Sequence, residues 1–166
     1  MCNIFKMLFN KKKVKNWTFG SKPVVNWLAK NKVKYDMVTI CKLILTQILN
    51  IDDVELNIVN NDSQIKIFDT PDFKLEAMLI GYPNSKQYTL FLRSDILSSN
   101  VLSIVCHEMW HLEQMYKGQL QIIKPNFKWK GKIYEGSTPY FERPWEKEAI
   151  KEQVEIERKV KKLYYE

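Results

Sequence analysis

Residues 101–117 (VLSIVCHEMWHLEQMYK) limit how this chain can fold more than any other stretch. Val101, Leu102, Val105, Met109 and Leu112 recur every three or four positions, which predicts a helix with one face turned to a core. Ser98, Ser99 or Asn100 can cap its start, and Gly118 after Lys117 can stop it. The chain's two histidines, His107 and His111, lie four residues apart on this helix. That spacing places both imidazoles on one side, one turn apart, where they can reach a single ion. Burying two imidazoles and Glu108 on one helix is costly unless a metal or a polar network satisfies them.

Zinc accepts imidazole nitrogens at about 2.0–2.1 Å in a tetrahedral shell. Glu108 is rotated by about 100° from His107 on a helix, so it suits a general base rather than a ligand of the same shell. A third ligand is needed, and no third histidine exists. The best source is residues 144–149 (PWEKEA), because zinc sites of the two-histidine, one-glutamate type take their carboxylate from a second helix. Glu146 and Glu148 lie about 200° apart there, so only one can face the histidines. Glu146 is preferred because it sits near the apolar edge marked by Trp145 and Ala149; Glu148 is the runner-up.

The remaining pattern predicts an α+β fold. Residues 37–50 read as a buried N-terminal helix, and about four strands follow at 54–60, 64–68, 73–82 and 87–93. Residues 119–143 read as irregular, with a short hairpin over 127–134 that turns at Lys130–Gly131. Residues 144–166 form a last helix, with Pro144 in its first turn and a stripe of Trp145, Ala149, Ile156, Val160 and Leu163.

Charge divides the chain in two. The net charge of +7 arises from 26 basic and 19 acidic residues, yet residues 1–35 contain nine lysines and no acid. Residues 1–36 are thus a basic, aromatic N-terminal segment, and 37–166 form the near-neutral domain. The segment is read first as a solvated face over part of the core, and second as an arm for an acidic partner or nucleic acid. Cys2, Cys41 and Cys106 are odd in number and lack metal-site spacing, which points to a reducing compartment. Cys106, beside His107, is read as a buried structural thiol. With no secretory pattern and no membrane span, the chain reads as soluble and cytoplasmic.

HEMWH followed by a glutamate on a later helix resembles the gluzincin branch of the zincin metallopeptidases. Residues 129–132 (WKGK) and 143–149 (RPWEKEA) resemble small metallopeptidases of bacteriophages and their bacterial hosts. The likeness spans about residues 86–160, and it departs at Glu113, where the long zincin signature prefers an apolar residue. It implies a zincin-like fold: a helix, a twisted mixed sheet, an active-site helix and a glutamate helix. It also implies a zinc-dependent peptidase in which Glu108 activates a water held by Zn2+ on His107, His111 and Glu146. A peptide or protein substrate would pair with an edge strand, residues 73–81 being the choice. Tyr134 and Tyr140 are candidates for donating to the oxyanion. The rival readings are a non-catalytic zincin-like structural or virion-associated protein, and a nucleic-acid-associated protease that uses residues 1–35 to localise.

Overall fold

A computed structural model of the chain describes residues 22–33, 35–69, 73–81 and 86–165. Most of the lysine-rich segment lies outside the described residues, and so does Cys2. Among the described residues the architecture is mixed α+β, with four α-helices and a mixed four-stranded sheet. Strands β1 (Val24–Trp27), β2 (Glu55–Asn60), β3 (Ala77–Gly81) and β4 (Gln87–Leu92) lie in the order β1-β2-β4-β3. The first three in that order run parallel, and β3 is an antiparallel edge strand on β4. β1 belongs to the segment set apart by its charge, so the sheet ties residues 24–27 to the same domain. Its four residues gave no strand signal amid lysines and aromatics.

Alternation along the strands builds the core. Leu56 and Ile58 of β2 and Leu90 and Leu92 of β4 are fully buried, each contributing about 1.5–3 kcal/mol. They form one cluster with Ile40 and Ile44, with Val105, Met109 and Leu112, and with Ile156 and Val160. Between Leu56 and Ile58 stands Asn57, which accepts from Asn26, and Gln87 donates to Glu55 across the same sheet, whereas Phe91 between Leu90 and Leu92 is itself apolar and buried.

Helix α1 (Met37–Leu43) is capped by Asp36, whose carboxylate accepts from the backbone of Val38 and Thr39. It continues as a π-helical turn over Ile44–Ile48, within the expected helix. The expected strand at 64–68 is instead a short helix, α2 (Asp62–Ile65), followed by a 3-10 turn (Lys66–Phe68). The cause is Asn61, whose side chain accepts from the Gln64 amide and starts a helix where the next strand was expected. Alternation there buries only Ile65, leaving Ile67 and Phe68 exposed, and both sides of β2 are already occupied.

Helix α3 (Val101–Tyr116) matches expectation closely. Asn100 stands at the cap position, but its side chain accepts from Ser99 and makes no cap bond. The other end closes as a Schellman motif: Gln119 donates to Gln114 O at 2.8 Å and Gly118 to Met115 O at 3.0 Å, with Gly118 at φ +66°.

The segment expected to be irregular holds a three-stranded antiparallel meander, β5 (Leu120–Ile123), β6 (Asn126–Trp129) and β7 (Lys132–Tyr134). Lys130 and Gly131 both have positive φ, as a two-residue primed hairpin turn requires. Only Leu120 of β5 is buried, which is why its alternation was faint. Leu120 and Trp129 pack on Trp145, the second residue of α4 (Pro144–Tyr165). Beyond Val160, α4 runs off the core, so Leu163 is exposed rather than part of the stripe.

Candidate metal centre

Two helices bring the site together. α3 supplies His107, Glu108 and His111, and the first turn of α4 supplies Glu146. Pro144 starts α4 with a preset φ, and the fully buried Ala149 lets the helices lie close. Glu146 thus projects from a helix N-terminus, where its negative charge is favoured.

The ligand atoms converge. His107 Nε2 and His111 Nε2 are 3.1 Å apart, and Glu146 Oε2 lies 3.3 Å from the first and 3.1 Å from the second. Three atoms bound tetrahedrally to one zinc at about 2.0–2.1 Å would be about 3.3–3.4 Å apart. The arrangement therefore fits one small cation with little adjustment. Among the described residues this is the one group of three His, Cys, Asp or Glu side chains so placed.

The outer nitrogens define which lone pairs face inward. Gln114 donates from Nε2 to Trp145 O at 3.1 Å and to Glu148 Oε2 at 2.9 Å. Its Oε1 must then be the end 2.8 Å from His111 Nδ1, so Nδ1 carries a proton and donates. Gln153 repeats this for His107: its Oε1 accepts from Nδ1 at 3.2 Å and its Nε2 donates to Ser103 Oγ at 2.6 Å. Both Nε2 atoms then point at each other and at a carboxylate oxygen. Three facing lone pairs need a cation between them, either a proton on one Nε2 or a metal ion.

Burial by itself would raise the Glu146 carboxyl, but its contacts with the His107 and His111 imidazoles and the charge of His111 outweigh it and hold the group well below the usual range. Burial would depress His111, yet the hydrogen bond and charge of Glu146, with Glu108 behind them, push it up to about 9. Glu108 is raised, mainly by burial, while the two histidines oppose the shift. The backbone of Leu79 on β3, the edge strand chosen from the resemblance, also acts against that rise.

The two tyrosines part company. Tyr140, in the 3-10 turn Tyr140–Glu142 before α4, brings its hydroxyl to 3.4 Å from His107 Nε2. Burial and the Glu146 charge push its pKa far up, so it stays a donor. Tyr134 instead packs edge-on against Trp145, with ring centroids 5.5 Å apart, because β7 turns it inward to the aromatic cluster. Glu148, the alternative ligand, spends Oε2 on Trp110 and Gln114 and Oε1 on Lys130. Glu113 is buried and paired with Lys117. Cys106 is fully buried, and desolvation pushes its thiol far up, as expected of a structural thiol.

Gln114, Gln153 and Ser103 were not picked from the sequence. Gln114 carried a signal, a neutral amide three residues after His111 on a largely apolar helix; Gln153 lies seven after Glu146, on the same side of α4. Among the described residues no helix is long and apolar enough to cross a membrane. No family model, curated protein or solved structure matches the chain at a significant level.

Proposed function

We propose that this chain is a zinc-dependent metallopeptidase of the gluzincin type, with a zincin-like fold. The observation that carries this reading is the convergence of His107, His111 and Glu146 at tetrahedral spacing, with Glu108 one residue along the same helix. When bound, zinc supplies Lewis acidity, which acidifies a water and polarises a carbonyl. Glu108 takes the proton of the attacking water on its carboxylate and returns it to the leaving amine nitrogen. Burial raises the proton affinity of Glu108, which suits a group that must both accept and donate. The Tyr140 hydroxyl, already at the rim of the centre, donates to the substrate oxygen as it gains negative charge. The outer edge of β3, beside α3, offers backbone groups along which an extended peptide can lie.

Glu108→Gln tests the reading, since it keeps size and removes the base. It should retain one zinc per chain and lose cleavage of a labelled unfolded protein by about 10²–10⁴-fold. Wild type without zinc, or a variant that cleaves as fast as wild type, would sink the proposal.

A further inference from the structure

We propose that Gln114 and Gln153 are positioning residues for the two imidazoles, and that Glu148, although not a ligand, orients Gln114 for this role. This rests on the metal-binding reading above and assigns work to side chains that reading leaves unused. Gln114 is fully buried and uses its Oε1 and both N–H groups. Such an amide cannot turn over without setting Oε1 against the Trp145 carbonyl and the Glu148 carboxylate. Its fixed carbonyl fixes the Nδ1–H of His111, leaving Nε2 with the lone pair a metal requires.

The bonds also run in one direction. His111 donates to Gln114, and Gln114 donates to Glu148, so a carboxylate stands at the far end of the chain. Aligned in this way, each bond polarises the next, and the electron density on Nε2 rises. Glu148 is held in turn by Trp110 at 3.2 Å and by Lys130 at 2.9 Å. Lys130 sits in the β6–β7 turn, so the meander anchors the carboxylate that anchors the amide. Gln153, held by Ser103, does the same for His107 without a charge behind it. The two ligands therefore differ: His111 has a carboxylate at the end of its relay, and His107 has a hydroxyl.

The test measures zinc affinity by competition with a chromophoric chelator, at fixed pH, on the full chain. The variants are Gln114→Leu, Gln153→Leu, and the exchange Gln114→Glu with Glu148→Gln. Each leucine variant should bind zinc about 10–100-fold more weakly than wild type. The exchange keeps an acceptor on His111 Nδ1 and a carboxylate in the relay, and should restore affinity to within a few-fold. In zinc-loaded wild type, nitrogen–proton correlation spectra should show a protected Nδ1–H on His111, and Gln114→Leu should lose that protection. Metal-free folding is checked by circular dichroism. If Gln114→Leu does not fold, Gln153→Leu and the exchange decide by the same readings. Wild type that binds no zinc would defeat the metal reading itself. Wild type that binds zinc, with leucine variants within threefold of it, would overturn the positioning proposal alone. An exchange variant as weak as Gln114→Leu would remove Glu148 from it.

Discussion

Zinc and a proton should compete for His111. In the metal-free protein burial opposes its charge, but Glu146, followed by Glu108, lifts its pKa to about 9. At pH 7 it is then an imidazolium, and Nδ1 is committed to Gln114, so the proton that must leave is on Nε2. A competing proton of that affinity weakens zinc binding about 100-fold at pH 7 and about tenfold at pH 8, relative to strongly alkaline solution. Zinc binding at pH 7 should therefore release about one proton from this group, and the apparent Kd should fall about tenfold between pH 7 and 8. Calorimetric titration in buffers of different ionisation enthalpy counts the protons, and chelator competition across pH gives the Kd. The same shifts set the stability of the metal-free chain. His111, raised from 6.5, stabilises the fold by about 3 kcal/mol below that value, and this is lost as pH rises through about 9. Glu146, depressed from 4.5, stabilises the fold above that value and loses this contribution as pH falls. From His111 and Glu146 the metal-free protein should have its highest Tm between about pH 4.5 and 6.5, and the raised Glu108 carboxyl draws that maximum towards the lower end. Zinc binding at pH 7 with no proton release and a Kd independent of pH would refute the reasoning.

Tyr140→Phe should lower kcat by about 10²–10³-fold with zinc content unchanged; an unchanged kcat would remove Tyr140 from the mechanism. Trp145→Ala empties the centre of the aromatic cluster and should cost about 3–5 kcal/mol, a fall in Tm of roughly 6–20 °C by calorimetry. Gly118→Ala should cost about 1–2 kcal/mol in urea denaturation. The added methyl meets nothing closer than 3.9 Å, so the positive φ alone sets that cost.

The legible parts of the chain are those where one physical pattern dominates. The α3 stripe and the 144–166 helix were readable because apolar spacing, Pro144 and Gly118 agreed with each other. The choice of Glu146 over Glu148 followed from helix geometry, and the structure places Glu146 among the imidazoles and Glu148 behind them. The strand expected at 64–68 shows the opposite case, a short alternation overridden by Asn61 acting as a cap. β1 and β5 were hidden because each of these four-residue strands buries one side chain, too few to set a period. Gln114 and Gln153 were hidden for another reason: a neutral amide has no charge or motif to announce it, and its role depends on which acceptors the second helix brings.

The central claim is that His107, His111 and Glu146 hold one zinc. X-ray absorption at the zinc edge on purified protein tests it most directly. The spectrum should show one zinc per chain with two imidazole nitrogens at about 2.0–2.1 Å, a carboxylate oxygen at about 2.0–2.2 Å and no sulfur neighbour. The imidazole signal should fall by half in His107→Ala. A chain without stoichiometric zinc, or a zinc whose shell contains sulfur and is indifferent to His107→Ala, would contradict it.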